Sequence, residues 1–111
     1  MYDYKATLIR VVDGDTLHVS IDLGCDTSLR MTVRLYGINS PEMSTLEGKE
    51  AKAYAERWFA EHAPDGQLMI RTRRDKKEKY GRYLAIVYYS LGQEPLNDAL
   101  VREGKAVVYL P

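Results

Sequence analysis

Cysteine and long apolar segments are almost missing from this sequence, and both absences exclude classes of protein. One of the 111 residues is cysteine, so neither an internal disulfide nor a zinc site built from several cysteines can form. No apolar run approaches the ~20 residues that a membrane-spanning helix needs, and residues 1–10 lack the apolar centre of a signal peptide. We therefore expect no association with membranes and one domain over residues 1–111.

An excess of charge of one sign is missing as well. Sixteen basic residues balance sixteen acidic ones, so that the formal net charge is zero. The charges are unevenly distributed, because residues 71–82 contain seven basic and two acidic residues and carry a net +5. A local positive potential attracts polyanions whatever the total charge. Two interpretations of this segment stay open, a solvated hairpin tip and a surface that attracts phosphates.

The first third of the chain shows the two-residue periodicity of β-strands. Apolar and polar residues alternate from Thr16 to Leu23, which is typical of a strand with one buried face. With the segments on either side, the pattern predicts strands over Tyr4–Val12, Thr16–Leu23 and Leu29–Leu35. The pair Asp13-Gly14 predicts a hairpin turn after the first strand, because glycine accepts a positive φ at little cost.

The middle of the chain changes to the periodicity of a helix. Apolar and aromatic residues recur at i, i+3, i+4, i+7, i+8 and i+11 over residues 51–62, which is one stripe of an amphipathic helix. Ser44 and Glu47 are candidates for a capping box at its start. The other expected elements are two strands, a second helix and a short β-rich segment: Gln67–Thr72, Tyr83–Tyr89, Leu96–Glu103 and Ala106–Tyr109. Pro95 is expected at the first position of the second helix and Gly104 at its end.

The order of these elements indicates the fold class. Five strands, with one helix after the third and another after the fifth, predict an α+β fold built on a small curled sheet. A five-stranded barrel of the oligonucleotide-binding (OB) type with two packed helices agrees with this order. Periodicity by itself supports the α+β class and leaves open whether the sheet closes.

Three polar clusters together contain the groups that phosphodiester hydrolysis requires. They are Val12–Thr16, Val33–Glu42 and Lys79–Arg82. They provide hard oxygen atoms for a cation, one further carboxylate and two arginines. A cation offsets phosphate charge, a base activates water, and arginines stabilise the additional negative charge of the transition state. Each cluster alone is also typical of an ordinary turn, strand or loop, so the hypothesis depends on their order and spacing.

In order and spacing the clusters resemble the motifs of the staphylococcal nuclease family. The chain reads Val-Asp-Gly-Asp-Thr over 12–16, Val-Arg-Leu-Tyr-Gly-Ile-Asn-Ser-Pro-Glu over 33–42, Lys-Tyr-Gly-Arg over 79–82 and Leu-Asn-Asp-Ala-Leu-Val-Arg-Glu-Gly over 96–104. The resemblance extends from Lys5 to Tyr109. It implies a five-stranded OB-type barrel with packed helices. It also implies a calcium-dependent hydrolase that acts on DNA, with RNA as a further substrate.

The resemblance implies a set of ligands for Ca²⁺. Asp15 matches a carboxylate ligand, a hard oxygen donor suited to this cation. Asn39 stands where the family has a second carboxylate ligand, and Ser40 matches a residue that contributes its backbone carbonyl. Asp13 is expected beside the cation site rather than among its ligands.

The resemblance also implies roles in the reaction itself. Glu42 matches the carboxylate that acts as general base on the attacking water. Arg34 and Arg82 match the two arginines that hold the phosphate. Tyr80 matches an aromatic residue beside the nucleotide phosphate, and it is expected to bind the substrate together with Lys79.

Two departures from the family leave a second interpretation open. Asn39 removes one negative charge from the ligand set, which predicts either weaker binding of Ca²⁺ or a metal preference shifted from that of the family. The family continues past the position of Pro111 into a further packed helix, which is absent here. The expected state is a monomer, unless a partner replaces the packing of that helix. The alternative to a nuclease is a non-catalytic nucleic-acid or protein-binding module on the same barrel.

Overall fold

Five strands form a closed barrel in the computed structural model of the chain, which describes residues 2–74 and 83–109. The elements in chain order are β1 (Tyr2–Asp13), β2 (Thr16–Gly24), β3 (Thr27–Leu35), β4 (Ile38–Asn39), α1 (Leu46–His62), β5 (Gln67–Arg74), β6 (Tyr83–Tyr88), α2 (Leu96–Arg102) and β7 (Val107–Val108). The order around the barrel is β1-β2-β3-β6-β5, and β5 closes on β1. The structure therefore confirms the α+β class and the five-stranded OB-type barrel, with strand boundaries within two residues of those expected.

Aliphatic side chains from alternate strand positions fill the barrel. Leu17, Val19 and Ile21 of β2 and Val33 and Leu35 of β3 are each no more than 3 % exposed. Successive side chains of a strand point to opposite faces of the sheet, so the residues between them lie on the outer face. The alternation in the sequence therefore identified the buried face correctly.

Helix α1 packs its apolar stripe against the barrel. The stripe expected from the sequence is confirmed, and the buried residues of the helix are Gly48, Ala51, Ala55, Trp58 and Phe59. The expected capping box is wrong, because the helix begins at Leu46 with Thr45 as its N-cap. The hydroxyl of Thr45 accepts a hydrogen bond from the Gly48 N–H at 3.0 Å.

Neither described helix has the length and apolarity of a membrane span.

The β1–β2 hairpin is confirmed, but glycine occupies position 14 for a different reason than expected. The two turn residues are Gly14 and Asp15, and Gly14 is not among the described residues with a positive φ. A Cβ at this position would lie 2.7 Å from the Cβ of Ala51 and 2.8 Å from that of Ser40. Gly14 therefore allows α1 and the segment after β4 to approach the turn closely.

The second helix and the last strand hold the segment that follows β3. Pro95 is the N-cap of α2 rather than its first residue, and Gly104 follows the helix with a φ of 72°, as helix ends often require. The expected β-rich segment is confirmed over Val107–Val108, which pairs with β4 in a two-stranded sheet. This small sheet holds Asn39, whose amide oxygen contacts Arg34 of β3.

Buried Asn97 connects α2 to the barrel. Asn97 is 3 % exposed, and its Oδ1 accepts a hydrogen bond from the Val87 N–H at 3.0 Å. Its Nδ2 donates to the carbonyl oxygens of Ala85 at 3.0 Å and Tyr36 at 2.9 Å. Because every one of these buried polar groups has a partner, the network fixes α2, β6 and the residue that follows β3 in one arrangement.

Candidate functional site

Asp15 is a buried carboxylate at the turn between β1 and β2. The residue is 8 % exposed, and its Oδ1 accepts a hydrogen bond from the Thr16 hydroxyl and its Oδ2 from the Ser40 N–H, each at 3.1 Å. Burial pushes its pKa upward, but hydrogen bonds to Asp13 and the Ser40 backbone, together with the Arg34 charge, outweigh burial and lower it. The carboxyl group is therefore an anion at neutral pH.

Asp13 shapes the turn that presents Asp15. Its Oδ1 accepts a hydrogen bond from the backbone N–H of Asp15 at 3.0 Å. Burial, followed by the neighbouring Asp15 carboxyl group, raises the pKa of Asp13. The two carboxyl groups of the turn thus differ in environment, because Asp15, unlike Asp13, also receives the Ser40 N–H and the Arg34 charge.

Arg34 lies on the outer face of β3, next to both Asp15 and Asn39. Its Nη2 donates to the Asn39 Oδ1 at 3.1 Å and lies 3.8 Å from the Asp15 Oδ2. The ring of Tyr109 lies against the same guanidinium, with 5.8 Å between Cζ and the ring centroid. The side chain remains 22 % exposed, so the guanidinium is oriented by its neighbours and still accessible. No sequence pattern pointed to Tyr109 as part of this site.

The structure brings the three expected cation ligands to one place. The backbone N–H of Ser40 donates a hydrogen bond to the Asp15 carboxylate. Asn39 is linked to Asp15 indirectly, because Arg34 contacts both side chains. Asn39 is exposed and Ser40 is half-buried. In the described residues, no three carboxylate, histidine or cysteine side chains converge as a metal-binding group. The contacts therefore gather two kinds of oxygen around Arg34, the Asp15 carboxylate and the Asn39 side-chain amide, while Ser40 contributes its N–H to Asp15.

Glu42 lies on the exposed segment between β4 and α1. Its backbone carbonyl oxygen accepts hydrogen bonds from the Thr45 N–H at 3.0 Å and from the Thr45 hydroxyl at 2.6 Å, while its side chain is exposed. Gly48 packs directly on this carbonyl, and a Cβ at position 48 would overlap it. The main chain of Glu42 is therefore fixed although its side chain is open to solvent. The sequence reasoning did not identify this contact of Gly48. The available clue was that glycine is unfavourable inside a helix, so its presence in the first turn needs a reason such as close packing.

Three of the residues expected in the site, Lys79, Tyr80 and Arg82, lie outside the described residues. The same holds for most of the basic segment 71–82. The described chain resumes at Tyr83, which pairs with Val33 in the parallel contact between β6 and β3. The strand that follows Arg82 in the sequence therefore runs directly beside the strand that carries Arg34.

The fold and this geometry define a class of protein, an OB-type barrel with a buried carboxylate at the β1–β2 turn and an oriented arginine beside it on β3. The family model described as staphylococcal nuclease homologue matches residues 32–110. A thermonuclease of Staphylococcus hyicus is 32 % identical over 105 residues, which cover 89 % of this chain and 56 % of that protein. A thermonuclease of Staphylococcus intermedius is 37 % identical over 100 residues, which cover 87 % of this chain and 55 % of that protein.

The chain therefore belongs to the staphylococcal nuclease family. An uncharacterized endonuclease of Haemophilus influenzae is also similar, at 30 % identity over 102 residues that cover 92 % of this chain and 51 % of that protein. The resemblance found in the sequence motifs is thus confirmed. The chain spans about half the length of these relatives.

Proposed function

We propose that the protein is a calcium-dependent nuclease that hydrolyses phosphodiester bonds of DNA, with RNA as a further substrate. The observation that carries the proposal is the position of Arg34, which lies 3.8 Å from an anionic carboxylate oxygen of Asp15 and remains accessible. A group that binds phosphate and a group that binds a cation are thereby adjacent, as metal-assisted phosphodiester hydrolysis requires. Membership of the family supports the same activity, since two of the named relatives are thermonucleases.

The oxygen atoms around Asp15 fit a hard cation. Ca²⁺ takes roughly six to eight oxygen ligands, among them carboxylates, side-chain amides, backbone carbonyls and waters. The Asp15 oxygens accept hydrogen bonds from the Thr16 hydroxyl and the Ser40 N–H, and carboxylate oxygens have further lone-pair capacity. We propose that Asp15, the Asn39 amide oxygen and the Ser40 carbonyl would hold Ca²⁺. When bound there, the ion would supply charge stabilisation to the phosphate.

Arg34 and Glu42 have separate tasks in this proposal. The guanidinium of Arg34 donates two hydrogen bonds to the phosphate oxygens, which favours the more highly charged transition state. The exposed carboxylate of Glu42 accepts a proton from the attacking water. The water oxygen then forms a bond to phosphorus, the bond from phosphorus to the leaving oxygen breaks, and the leaving oxygen takes a proton from solvent.

The residues outside the described part of the chain receive their proposed roles from the family motif alone. Arg82 is the second arginine on the phosphate. Tyr80 and Lys79 contact the nucleotide phosphate beside it. We propose that the protein does this as a monomer.

The proposal predicts that the purified chain cleaves DNA only with a cation present. A fluorescently labelled DNA is incubated with protein in millimolar Ca²⁺, then with excess EDTA, then with Ca²⁺ restored. We expect cleavage to stop with EDTA and to return with Ca²⁺. If the chain binds labelled single strands but leaves them intact at saturating Ca²⁺, it is a binding module and the nuclease proposal is wrong.

A second prediction concerns the amide at position 39. Asn39→Asp adds a negative charge to an exposed ligand, and a unit charge at about 4 Å contributes about 1 kcal/mol even in bulk water. We therefore expect calorimetric titration to show Ca²⁺ binding at least about fivefold tighter. Ser90→Asp adds the same charge in the exposed turn after β6 and should leave the affinity unchanged. Equal affinities for Asn39→Asp and the unaltered chain would exclude residue 39 as a ligand.

A further inference from the structure

Two arginines and a leucine form one row across three strands on the outside of the barrel. Arg34 of β3 pairs with Leu84 of β6, and Leu84 pairs with Arg73 of β5. The chain neighbours Val33, Ala85 and Thr72 are buried, so all three members of the row lie on the outer face. Neighbouring strands are about 4.8 Å apart, which separates the two arginine Cα atoms by about 10 Å.

The side chain of Arg73 is held by Tyr36, the residue that follows β3. The Nη1 of Arg73 donates to the Tyr36 hydroxyl at 3.1 Å, and its Cζ lies 5.4 Å from the ring centroid. The main chain of Tyr36 is fixed at both ends of the residue, because its N–H donates to the Ala85 carbonyl at 2.8 Å and its own carbonyl accepts from Asn97 at 2.9 Å. Arg73 is therefore oriented by a rigid support before any ligand arrives.

Arg73 and Arg71 both lie on β5, but they differ in whether a carboxylate lies next to the guanidinium. Arg71 donates two hydrogen bonds to the carboxylate of Asp3, at 2.8 and 3.3 Å. Within residues 2–74 and 83–109, Arg73 contacts the Tyr36 side chain and no carboxylate. An exposed, oriented guanidinium that has no acidic partner in the described part of the chain is suited to bind a phosphate group.

We propose that Arg73 is a second phosphate-binding residue, which holds a nucleic-acid strand that runs from Arg34 across β6 to β5. The row of about 10 Å corresponds to about three nucleotides of a stacked strand, at 3.4 Å each. Leu84 lies between the two arginines and offers an apolar contact to the sugars or bases in the middle. The inference rests on the proposed function for the placement of one phosphate at Arg34.

Binding of single-stranded DNA at several salt concentrations tests this inference without cleavage. The probe is a labelled 12-nucleotide oligothymidylate, and the protein carries Glu42→Gln so that the probe stays intact. Each phosphate contact with a single strand contributes about 0.7 to the slope of log affinity against log salt. We expect Arg73→Ala to weaken binding and to reduce this slope by about 0.7, and Tyr36→Phe to weaken binding less. With a thymidine dinucleotide, too short to reach both arginines, Arg73→Ala should have no effect.

The matched control is Arg71→Ala, which removes the same charge from the same face of the same strand. Because Arg71 is paired with Asp3, this variant should keep the slope of the unaltered chain. An unchanged slope for Arg73→Ala, or the same loss for Arg71→Ala, would overturn the inference. Arg30 is an exposed residue of β3 that pairs with Ser20 of β2, so a loss for Arg30→Ala with none for Arg73→Ala would place the strand along β2 and β3 instead and would overturn the inference. Binding without cleavage by the unaltered chain would overturn the proposed catalysis, and the slopes of the variants would still decide separately whether Arg73 contacts a phosphate.

Discussion

Replacement of Glu42 by glutamine is expected to lower the kcat for DNA cleavage by about 10²- to 10⁴-fold, the range of general acid–base catalysis. Glutamine preserves the size of the side chain, but it cannot accept the proton of the attacking water. The fold should be unaffected, because the side chain of Glu42 is exposed and the structural contacts of this residue come from its backbone carbonyl. The KM for DNA should change little, since Arg34 and the cation ligands remain.

Glu47→Gln is the matched control for this variant. Glu47 is exposed in the first turn of α1, so the substitution removes the same charge a few residues away. Steady-state cleavage of one DNA substrate by both variants separates proton acceptance from the general effect of charge. Full activity of Glu42→Gln, or equal losses in the two variants, would show that Glu42 is not the base.

Gly48→Ala is expected to destabilise the protein by about 2–3 kcal/mol, which is the cost of overpacking a buried site. Helix propensity alone gives the opposite sign, because alanine is about 1 kcal/mol better than glycine inside a helix. At position 48, however, a Cβ would overlap the carbonyl oxygen of Glu42 and lie 2.9 Å from that of Pro41. Both atoms belong to the backbone, so a rotamer change cannot relieve the overlap.

The same substitution should lower cleavage even where the variant is fully folded. Relief of the overlap requires the Glu42 backbone to move away from the helix, and a small displacement of a catalytic group is costly. Urea unfolding gives the loss of stability, and kcat measured well below the unfolding midpoint gives the effect on the site. Lys49→Ala, at an exposed neighbouring position, should change neither by much. A Gly48→Ala protein as stable as the unaltered chain would contradict the close packing.

The elements of the barrel were predictable because their signals are local. Residues such as Leu17 and Val19 alternate with polar neighbours because one face of each strand is buried, and the stripe through Trp58 repeats at the period of a helix. The end of α2 at Gly104 also has a local cause, a positive φ. Each of these features depends on residues within a few positions of one another.

The features that were missed depend on distant parts of the chain. Gly14 is required by the approach of Ala51 and Ser40, and no turn rule contains that information. The contact of Arg34 with Tyr109 and that of Arg73 with Tyr36 join residues far apart in the sequence. The N-cap of α1, Thr45, was missed for a smaller reason, because Ser44 offered an equally good cap one position earlier. In the site, the motifs named four residues that the structure joins by contacts, and the barrel determines how these are oriented: Asp15, Arg34, Asn39 and Ser40.

The ratio of cleavage rates in Ca²⁺ and in EDTA, measured for the unaltered chain and for Asp15→Ala, tests the central claim most directly. Asp15 is the buried anion next to Arg34, and it is the proposed carboxylate ligand. We expect a large ratio for the unaltered chain. A folded Asp15→Ala protein should show only background cleavage in both conditions, so its ratio should be near one. A calcium-dependent rate in Asp15→Ala equal to that of the unaltered chain would contradict a cation site at this turn.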